Sequence, residues 1–250
     1  MSVQKRRWRR LAGAGVAATL VAVVGLGAVV GAAGAEGEQR NVPLGGAKSA
    51  RVEVRLDAGE LKLHGGAAAT DLLSGTFDYE ADNGKPEFDY TVEEGRGELK
   101  VKPDGGGVHI TWPWDMVDDT KWDVAINDTV ATDLKVDVDA GKLDLALGGT
   151  AVSNLEVDAD AAKAEVDLSG PWSHDLTADL SADAGQLVVT VPAEVGVRVE
   201  AKVEAGDKDI DGLQEIEDDV YVNDAYATAT VKLTIKANVD AGQLKVQVAD

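Results

Sequence analysis

The sequence contains no cysteine. This excludes disulfide bonds, thiolate-bound structural zinc, a cysteine nucleophile and lipid attached to a cysteine. The three histidines, His64, His109 and His174, lie far apart, and none has the i, i+4 spacing of a helical metal pair. We therefore interpret each as an ordinary surface or turn residue. Aromatic residues make up only 4% of the 250 residues, which suits a narrow interior filled by valine, leucine and alanine.

Positive charge is also scarce. The chain has 24 Lys+Arg against 45 Asp+Glu, a formal net charge of −21, and five of the basic residues stand within residues 5–10. This excess of acid repels nucleic acid phosphates, so we predict no nucleic-acid partner. It also disfavours broad adhesion to anionic lipid, and it favours solubility, cations and basic partners. The simplest interpretation of the acids is that they cover solvated strand faces.

The N-terminal 35 residues have the pattern of a targeting segment. A cationic cluster at residues 5–10 precedes an uncharged stretch at residues 11–35, which ends in Ala33-Gly34-Ala35. We predict that residues 1–35 are either a cleaved signal peptide or a single apolar membrane helix, with residues 11–35 in the membrane if they are retained. In both cases the remainder is expected outside the cytoplasmic membrane. Residues 36–48 show no periodicity and are predicted to be a linker.

From residue 49 onward the apolar residues alternate, as in β-strands. The alternation shifts by one residue wherever an Asp-Ala-Gly motif occurs, as at Asp57-Ala58-Gly59 and Asp139-Ala140-Gly141. A bend at Ala-Gly would keep the same face inward across that shift. The later copies begin at Asp139, Asp160, Asp183 and Glu204, about 21–23 residues apart, and a last copy begins at Asp240. The alternation predicts that the motif alanines lie on the inward face.

A fixed period of one coil length predicts an all-β, parallel β-helix-like solenoid over residues 49–250, in which each coil buries its face against the next. Its N-terminal part is residues 49–120, and its Asp-Ala-Gly repeats occupy residues 121–250. The alternative is an antiparallel hairpin-repeat sandwich, in which Ala-Gly is a two-residue turn. We rank it second because alanine is unfavourable where such a turn needs positive φ.

The stretch 76–122 differs from the repeats and contains three of the five tryptophans, Trp112, Trp114 and Trp122. Residues 76–79 and 88–92 alternate like ordinary strands joined by a turn at residues 83–86. A tryptophan cluster can stack on the faces of sugars. We favour the commoner meaning, a cap that closes one end of the solenoid.

One acidic segment resembles a calcium loop. Asp207, Asp209 and Asp211 place carboxylates at alternate positions before Gly212, and Asp218 falls at the twelfth place, where a bidentate glutamate is usual. No helix pattern flanks the segment. The two interpretations are a weak Ca²⁺ site formed by these four aspartates and an acidic loop between coils.

The order of these segments resembles the toast-rack family of bacterial extracytoplasmic domains. The resemblance rests on residues 56–63, 65–67, 75–79, 85–90, 122–127 and 189–197. It implies a right-handed β-helix-like fold, and relatives occur in cell-envelope stress regulators of the Lia type and in proteins assigned as adhesins. The family has no recognised catalytic residues, so none is carried over.

Our functional hypothesis is a non-enzymatic binding or structural module at the cell envelope, adhesin-like, with an envelope protein or a surface ligand as partner. The first alternative is a membrane-anchored sensor partner in an envelope stress response. The second is a secreted carbohydrate-active solenoid. The sequence has no G-x-S-x-G elbow and no phosphate loop, and paired carboxylates are too abundant to be specific, so we expect no enzyme.

Overall fold

The computed structural model describes residues 36–79, 85–104 and 120–249. These residues form thirteen β-strands in one sheet, and no helix occurs among them. The strands are β1 (Glu36–Pro43), β2 (Ser49–Gly65), β3 (Asp71–Tyr79), β4 (Pro86–Glu93), β5 (Arg96–Pro103), β6 (Lys121–Ile126), β7 (Ala131–Ala146), β8 (Val152–Asp167), β9 (Leu176–Val191), β10 (Gly196–Asp211), β11 (Gln214–Glu217), β12 (Val220–Val222) and β13 (Lys232–Val248).

The Asp-Ala-Gly motif lies inside long strands rather than between them. In β2 the strand continues through Gly59, whose φ of 127° is open to glycine and rarely adopted by residues with a Cβ atom. Leu56 before the motif and Leu61 after it are both fully buried. The predicted bend and phase shift are thus confirmed. We call the segment before the motif the first arm and the segment after it the second arm.

The motif alanines lie on the outer side of the bend, contrary to our prediction. Ala58 and Ala140 are half-buried, and Ala161, Ala184 and Ala241 are exposed. The core is lined instead by residues such as Val138 and Leu143, which flank the motif. The reason is geometric: the residues of the bend turn around the outside of the corner, so the last inward side chain precedes the aspartate.

Successive motifs stack in parallel. Gly59 pairs with Gly141, and Gly185 pairs with Gly242. The bent strands follow the spatial order β2-β7-β8-β9-β13-β10, and all neighbours in this series are parallel. A hairpin repeat would require antiparallel pairs across each motif. The hairpin alternative is therefore wrong for the repeats, and the parallel stack has the architecture of a solenoid.

The final repeat enters the stack out of sequence order. Strand β13 lies between β9 and β10, so the motif at Asp240 stacks between those at Asp183 and Glu204. The long gap between the last two motifs is explained by this arrangement, because the chain must leave β10, form the β11–β12 hairpin and return. The degenerate motif at Glu204 thereby becomes the terminal repeat. A buried asparagine, Asn223, fixes the returning chain.

The opposite end of the stack is built from shorter strands. Strand β5 pairs in parallel with the first arm of β2, and β6 pairs in parallel with its second arm. Strands β3 and β1 then extend the sheet beyond β6 in antiparallel fashion, while β4 adds antiparallel to β5. An antiparallel end of this kind closes the stack at its N-terminal side.

Strand β1 corrects the linker that we predicted over residues 36–48. Residues 36–43 belong to the sheet and pair with β3 over their whole length. The sequence pattern is misleading because two of the partly buried side chains, Glu38 and Arg40, form an ion pair, with the guanidinium of Arg40 6.0 Å from the centre of the Phe88 ring. Only Val42 supplies a buried aliphatic side chain.

The core is almost entirely aliphatic. Valine, leucine and alanine from both arms form one continuous buried cluster, and each fully buried leucine or valine contributes about 1.5–3 kcal/mol to stability. Trp122 on β6 is 1% exposed and packs edge-on against Phe77. Trp122 is thus a core residue near the capped end.

Some predicted features lie outside the described residues: Trp112, Trp114, His109 and the N-terminal segment 1–35. In the described part of the chain, no helix has the length and apolar character needed to cross a membrane.

Candidate binding groove

Parallel stacking turns the outer face of the first arm into rows of side chains. The residues four positions before each motif aspartate form one row, which runs Glu53, Lys135, Glu156, Asp179, Lys236 and Glu200 in spatial order. Neighbouring strands are about 4.8 Å apart. Charges in one row are therefore close enough to pair, and the row is a continuous ladder of charged groups.

Lys135 is the centre of the strongest charge cluster on this face. Its ammonium group donates to Glu156 Oε1 at 2.6 Å and to Asp158 Oδ2 at 3.0 Å. The hydrogen bond to Glu156 and then that to Asp158 raise the pKa of Lys135 well above its ordinary value. The side chain of Lys135 is only 24% exposed. Lys135 is thus held in place as a cation by two carboxylates.

Asp133 links two further strands of the same face. It accepts a hydrogen bond from Arg96 Nη2 at 2.8 Å and another from Asn154 Nδ2 at 2.7 Å. Four neighbouring groups make no ion pair or side-chain hydrogen bond with described residues: the guanidinium of Arg51, the carboxylate of Asp179 and the hydroxyls of Thr177 and Ser181. The face thus combines fixed charges with unpaired donors and acceptors.

Residues of this face line a cavity of about 520 Å³ that is open to solvent. We call it the groove. Its polar side chains are Arg51, Asp133, Lys135, Asn154, Glu156, Asp158, Thr177, Asp179 and Ser181. A volume of this size suits a small molecule or a short segment of a larger one. The lining favours a polar ligand with hydrogen-bond donors, because carboxylates outnumber cations in the groove.

The groove has no aromatic side chain in its lining. Sugar recognition by stacking needs the face of a ring, and Trp122 cannot supply one because it is buried in the core. The groove therefore offers no aromatic platform for carbohydrate.

A second charge cluster lies where the arms meet. Arg55 contacts three carboxylates, bonding Asp57 at 3.1 Å and Asp139 at 2.9 Å and lying 3.5 Å from Asp137. The hydrogen bond to Asp57 is the main cause of the raised pKa of Arg55. Burial raises the pKa of Asp137 and outweighs the opposing effect of Arg55. The arginine thus offsets repulsion between stacked motif aspartates at this end of the corner.

The four aspartates of the predicted calcium loop are not assembled into one site. Asp207, Asp209 and Asp211 lie on the extended second arm of β10, where alternate residues are about 6.6 Å apart. Asp218 belongs to the turn between β11 and β12. A calcium loop must instead curl so that its ligand oxygens all lie about 2.3–2.6 Å from one ion. The described residues contain no group of three or more acidic or histidine side chains arranged to hold a metal ion.

The two described histidines have local structural contacts. His64 Nε2 lies 3.1 Å from Asp123 Oδ1 on the neighbouring strand. His174 Nε2 lies 2.9 Å from the carbonyl oxygen of Val152, and its ring packs edge-on against Trp172. Both belong to strand or turn packing, and neither lines the groove.

The groove is not among the sites predicted from the sequence, although the repeats carry a signal for it. Aligning the repeats on their motif aspartates places Lys135, Glu156 and Asp179 at one position, and Asp133, Asn154 and Thr177 two positions earlier. Stacking in register would have predicted these rows. Along the chain alone, the same polar positions look like a uniform solvated strand face.

Bent parallel strands, a stacked aliphatic core and charged outer ladders define the chain as a two-armed β-solenoid. It belongs to the toast-rack family: the family model described as "N-terminal domain of toast_rack, DUF2154" matches residues 32–190. The resemblance noted from the sequence is thus confirmed. No curated protein is similar to the chain in sequence.

Two solved structures are similar to the chain. One, described as a "putative cell adhesion protein" from Clostridium sporogenes, has a TM-score of 0.76 and 20% sequence identity, covering 86% of this chain and all of the other (100%). It shares the fold. The other, described as a "putative adhesin" from Bacteroides fragilis, covers 86% of this chain and 98% of its own, with a TM-score of 0.32 and 10% identity. A TM-score that low adds nothing to the fold assignment.

Proposed function

We propose that the chain is a non-enzymatic binding module outside the cytoplasmic membrane, adhesin-like, whose groove on the first arm holds a polar ligand of the cell envelope. The observation that carries this proposal is the combination of fixed and free charges in the groove. Lys135, Glu156 and Asp158 are locked together, while Arg51 and Asp179 have no ion-pair partner among the described residues. Rigid, preorganised polar groups favour binding because little freedom is lost on association.

The same contacts argue for binding rather than catalysis. A general acid or base needs a pKa close to the working pH and a free position to exchange its proton. The ammonium of Lys135 instead has a raised pKa and two carboxylate partners. The adhesion-related description of the Clostridium sporogenes structure, which shares this fold, adds support to an adhesin-like function.

Export is the second part of the proposal. Residues 1–35 direct the domain across the membrane as a signal peptide or as one apolar helix. The exported solenoid is right-handed, as the family resemblance implies. An anchored form would act beside another membrane protein as a sensor partner, whereas a released form would act as a surface adhesin. Cell fractionation with intact-mass measurement distinguishes the two: a soluble exported protein that begins at residue 36 is released, and a full-length protein in the membrane fraction is anchored.

The groove is tested by charge reversal of its two unpaired charged residues. We expect the Arg51→Glu, Asp179→Lys double variant to lose retention of the full-length protein on isolated cell envelopes. The control is Asp183→Lys, which changes an exposed aspartate of the same strand outside the groove. Equal retention of wild type, double variant and control would rule out the groove as the binding site, and retention of none of them would refute the proposed function.

A further inference from the structure

The terminal repeat leaves one strand edge open. The second arm of β10, residues 205–211, pairs in parallel with β13 on one side. On its other side no described strand is present, because β12 covers β10 only from Arg198 to Glu200. The outward N–H and C=O groups of residues 205–211 therefore have no strand partner among the described residues, which is the condition for adding a strand from another chain. We call this side of residues 205–211 the open edge.

The core beneath the open edge is closed by a charged side chain. Lys208 occupies the place that Leu187 and Leu244 fill in the strands behind it. Its ammonium bonds the carboxylate of Asp219 and lies 5.4 Å from the centre of the Tyr221 ring. Among residues 205–211 the one large apolar side chain, Ile210, is partly buried against the core. The open edge therefore presents its backbone rather than a broad apolar face.

The outer face of the open edge carries three carboxylates. Asp207, Asp209 and Asp211 lie beside Gln243, Lys245 and Gln247 of β13. None of the three aspartates has an ion-pair partner within the described residues. On the β13 side, only Asp209 has a basic residue beside it in register, Lys245, whereas Asp207 and Asp211 lie beside glutamines. On the side of β10 away from β13, the next strand position beside residues 205–211 is not filled by any described strand.

A second copy of this chain is a poor occupant of that position. Antiparallel pairing of two open edges centred on Asp209 would place Asp209 opposite Asp209 and Asp207 opposite Asp211. Like charges directly opposite one another destabilise a strand pair. The carboxylates thus act against self-association, and they favour a strand with lysine or arginine at alternate positions.

We propose that the open edge binds an extended basic segment of a partner protein by strand addition. The partner strand bonds the backbone of residues 205–211, and its basic side chains alternate opposite Asp207, Asp209 and Asp211. The inference rests on the proposed function as a binding module and adds a second surface and a partner class to it. The open edge is separate from the groove, since no residue of the edge lines it.

The test uses the full-length chain in nonionic detergent and a labelled seven-residue peptide that alternates lysine and valine. We expect saturable binding by fluorescence anisotropy, weakened about tenfold by Asp209→Lys. The matched control is Asp183→Lys, which reverses the charge at an exposed aspartate inside the stack. It should change the affinity by less than about twofold. A peptide methylated on its backbone nitrogens cannot complete the strand pairing and should not bind.

Hydrogen exchange locates the peptide. We expect the amides of residues 205–211 to become protected when it binds. Equal weakening by Asp209→Lys and Asp183→Lys, full binding of the methylated peptide, or protection confined to other segments would each overturn the proposal, because binding would then be unspecific charge attraction. Dimerisation of the wild type through the same amides would also overturn it. Failure here leaves the groove untouched, since envelope retention tests that surface separately.

Discussion

Gly141 lies directly against the backbone carbonyl of Gly59, so that a Cβ atom on Gly141 would overlap with that oxygen. The same relationship joins Gly242 to Gly185 and Gly206 to Gly242. At these three corners the chain therefore sits on the peptide group of the neighbouring coil. Glycine is required there both for its positive φ and for the lack of a side chain.

Replacing Gly141 by alanine should strongly destabilise the solenoid. We expect Gly141→Ala to lower the free energy of unfolding by about 3 kcal/mol or more, because strain at positive φ and a backbone overlap add together. The control is Gly66→Ala, at a glycine that also has positive φ but has open space around it, where we expect about 1 kcal/mol. Chemical denaturation measures both, and equal losses would contradict a role for close stacking.

Asn223 fixes the segment between β10 and β13, through which the chain returns to insert β13 into the stack. Its amide donates to the carbonyl of Val195 at 2.7 Å, and its Oδ1 accepts from the amide of Val197 at 2.9 Å. Removing this 6%-exposed side chain leaves buried backbone groups unpaired. We expect Asn223→Ala to cost about 2–3 kcal/mol. Asn154→Ala removes a single exposed hydrogen bond and should cost well under half as much. A smaller loss for Asn223→Ala in thermal unfolding would contradict the structural role.

The repeat architecture was readable from the sequence because the physical signal is local. The shift in the apolar alternation at Asp57-Ala58-Gly59 indicates the bend. The regular recurrence of this shift indicates the length of one coil. The position of β13 was not readable, since Glu204-Ala205-Gly206 and Asp240-Ala241-Gly242 look like consecutive copies. Only the pairing of Gly206 with Gly242 and of Gly242 with Gly185 shows the order. Long-range pairing is settled by packing, which local patterns do not encode.

The groove was missed by the sequence-based prediction, whereas the calcium loop was predicted but is not assembled in the structure. Lys135, Glu156 and Asp179 carry no motif along the chain, and they become neighbours only through stacking. Asp207, Asp209 and Asp211 carry a motif along the chain, but an extended strand spreads them apart. The spacing Asp-x-Asp-x-Asp is shared by a curled calcium loop and by the polar face of a β-strand. Periodicity on both sides of the segment favours the strand.

Calcium titration tests that distinction. Because β10 holds its aspartates apart, we expect millimolar Ca²⁺ to give no saturable rise in Tm beyond that given by Mg²⁺. Asp209→Ala and Asp211→Ala should respond as the wild type does, and so should the control Asp183→Ala. A calcium-specific rise that disappears in Asp209→Ala and Asp211→Ala but survives in Asp183→Ala would show that the segment rearranges into the loop suggested by its sequence.

The ion-pair cluster of the groove makes stability depend on pH in a defined direction. The pKa of Lys135 is higher in the folded chain than its ordinary value of 10.5, chiefly through the hydrogen bond to Glu156. The folded chain therefore holds this proton more tightly than the unfolded chain does. The resulting stabilisation is complete below 10.5 and is lost as the pH rises through the raised pKa.

Lys135→Met isolates this contribution. We expect it to lower the free energy of unfolding by about 1 kcal/mol at neutral pH. A partly exposed lysine bonded to two carboxylates stabilises the fold more than a single surface salt bridge does. The control is Lys236→Met, in the same row and without an ion pair to any described residue, which should cost less than about 0.5 kcal/mol. Denaturation at increasing pH should show the wild type and Lys135→Met converging only in strong alkali. Convergence near neutral pH would mean that Lys135 supports the groove by packing of its alkyl chain and not by its charge.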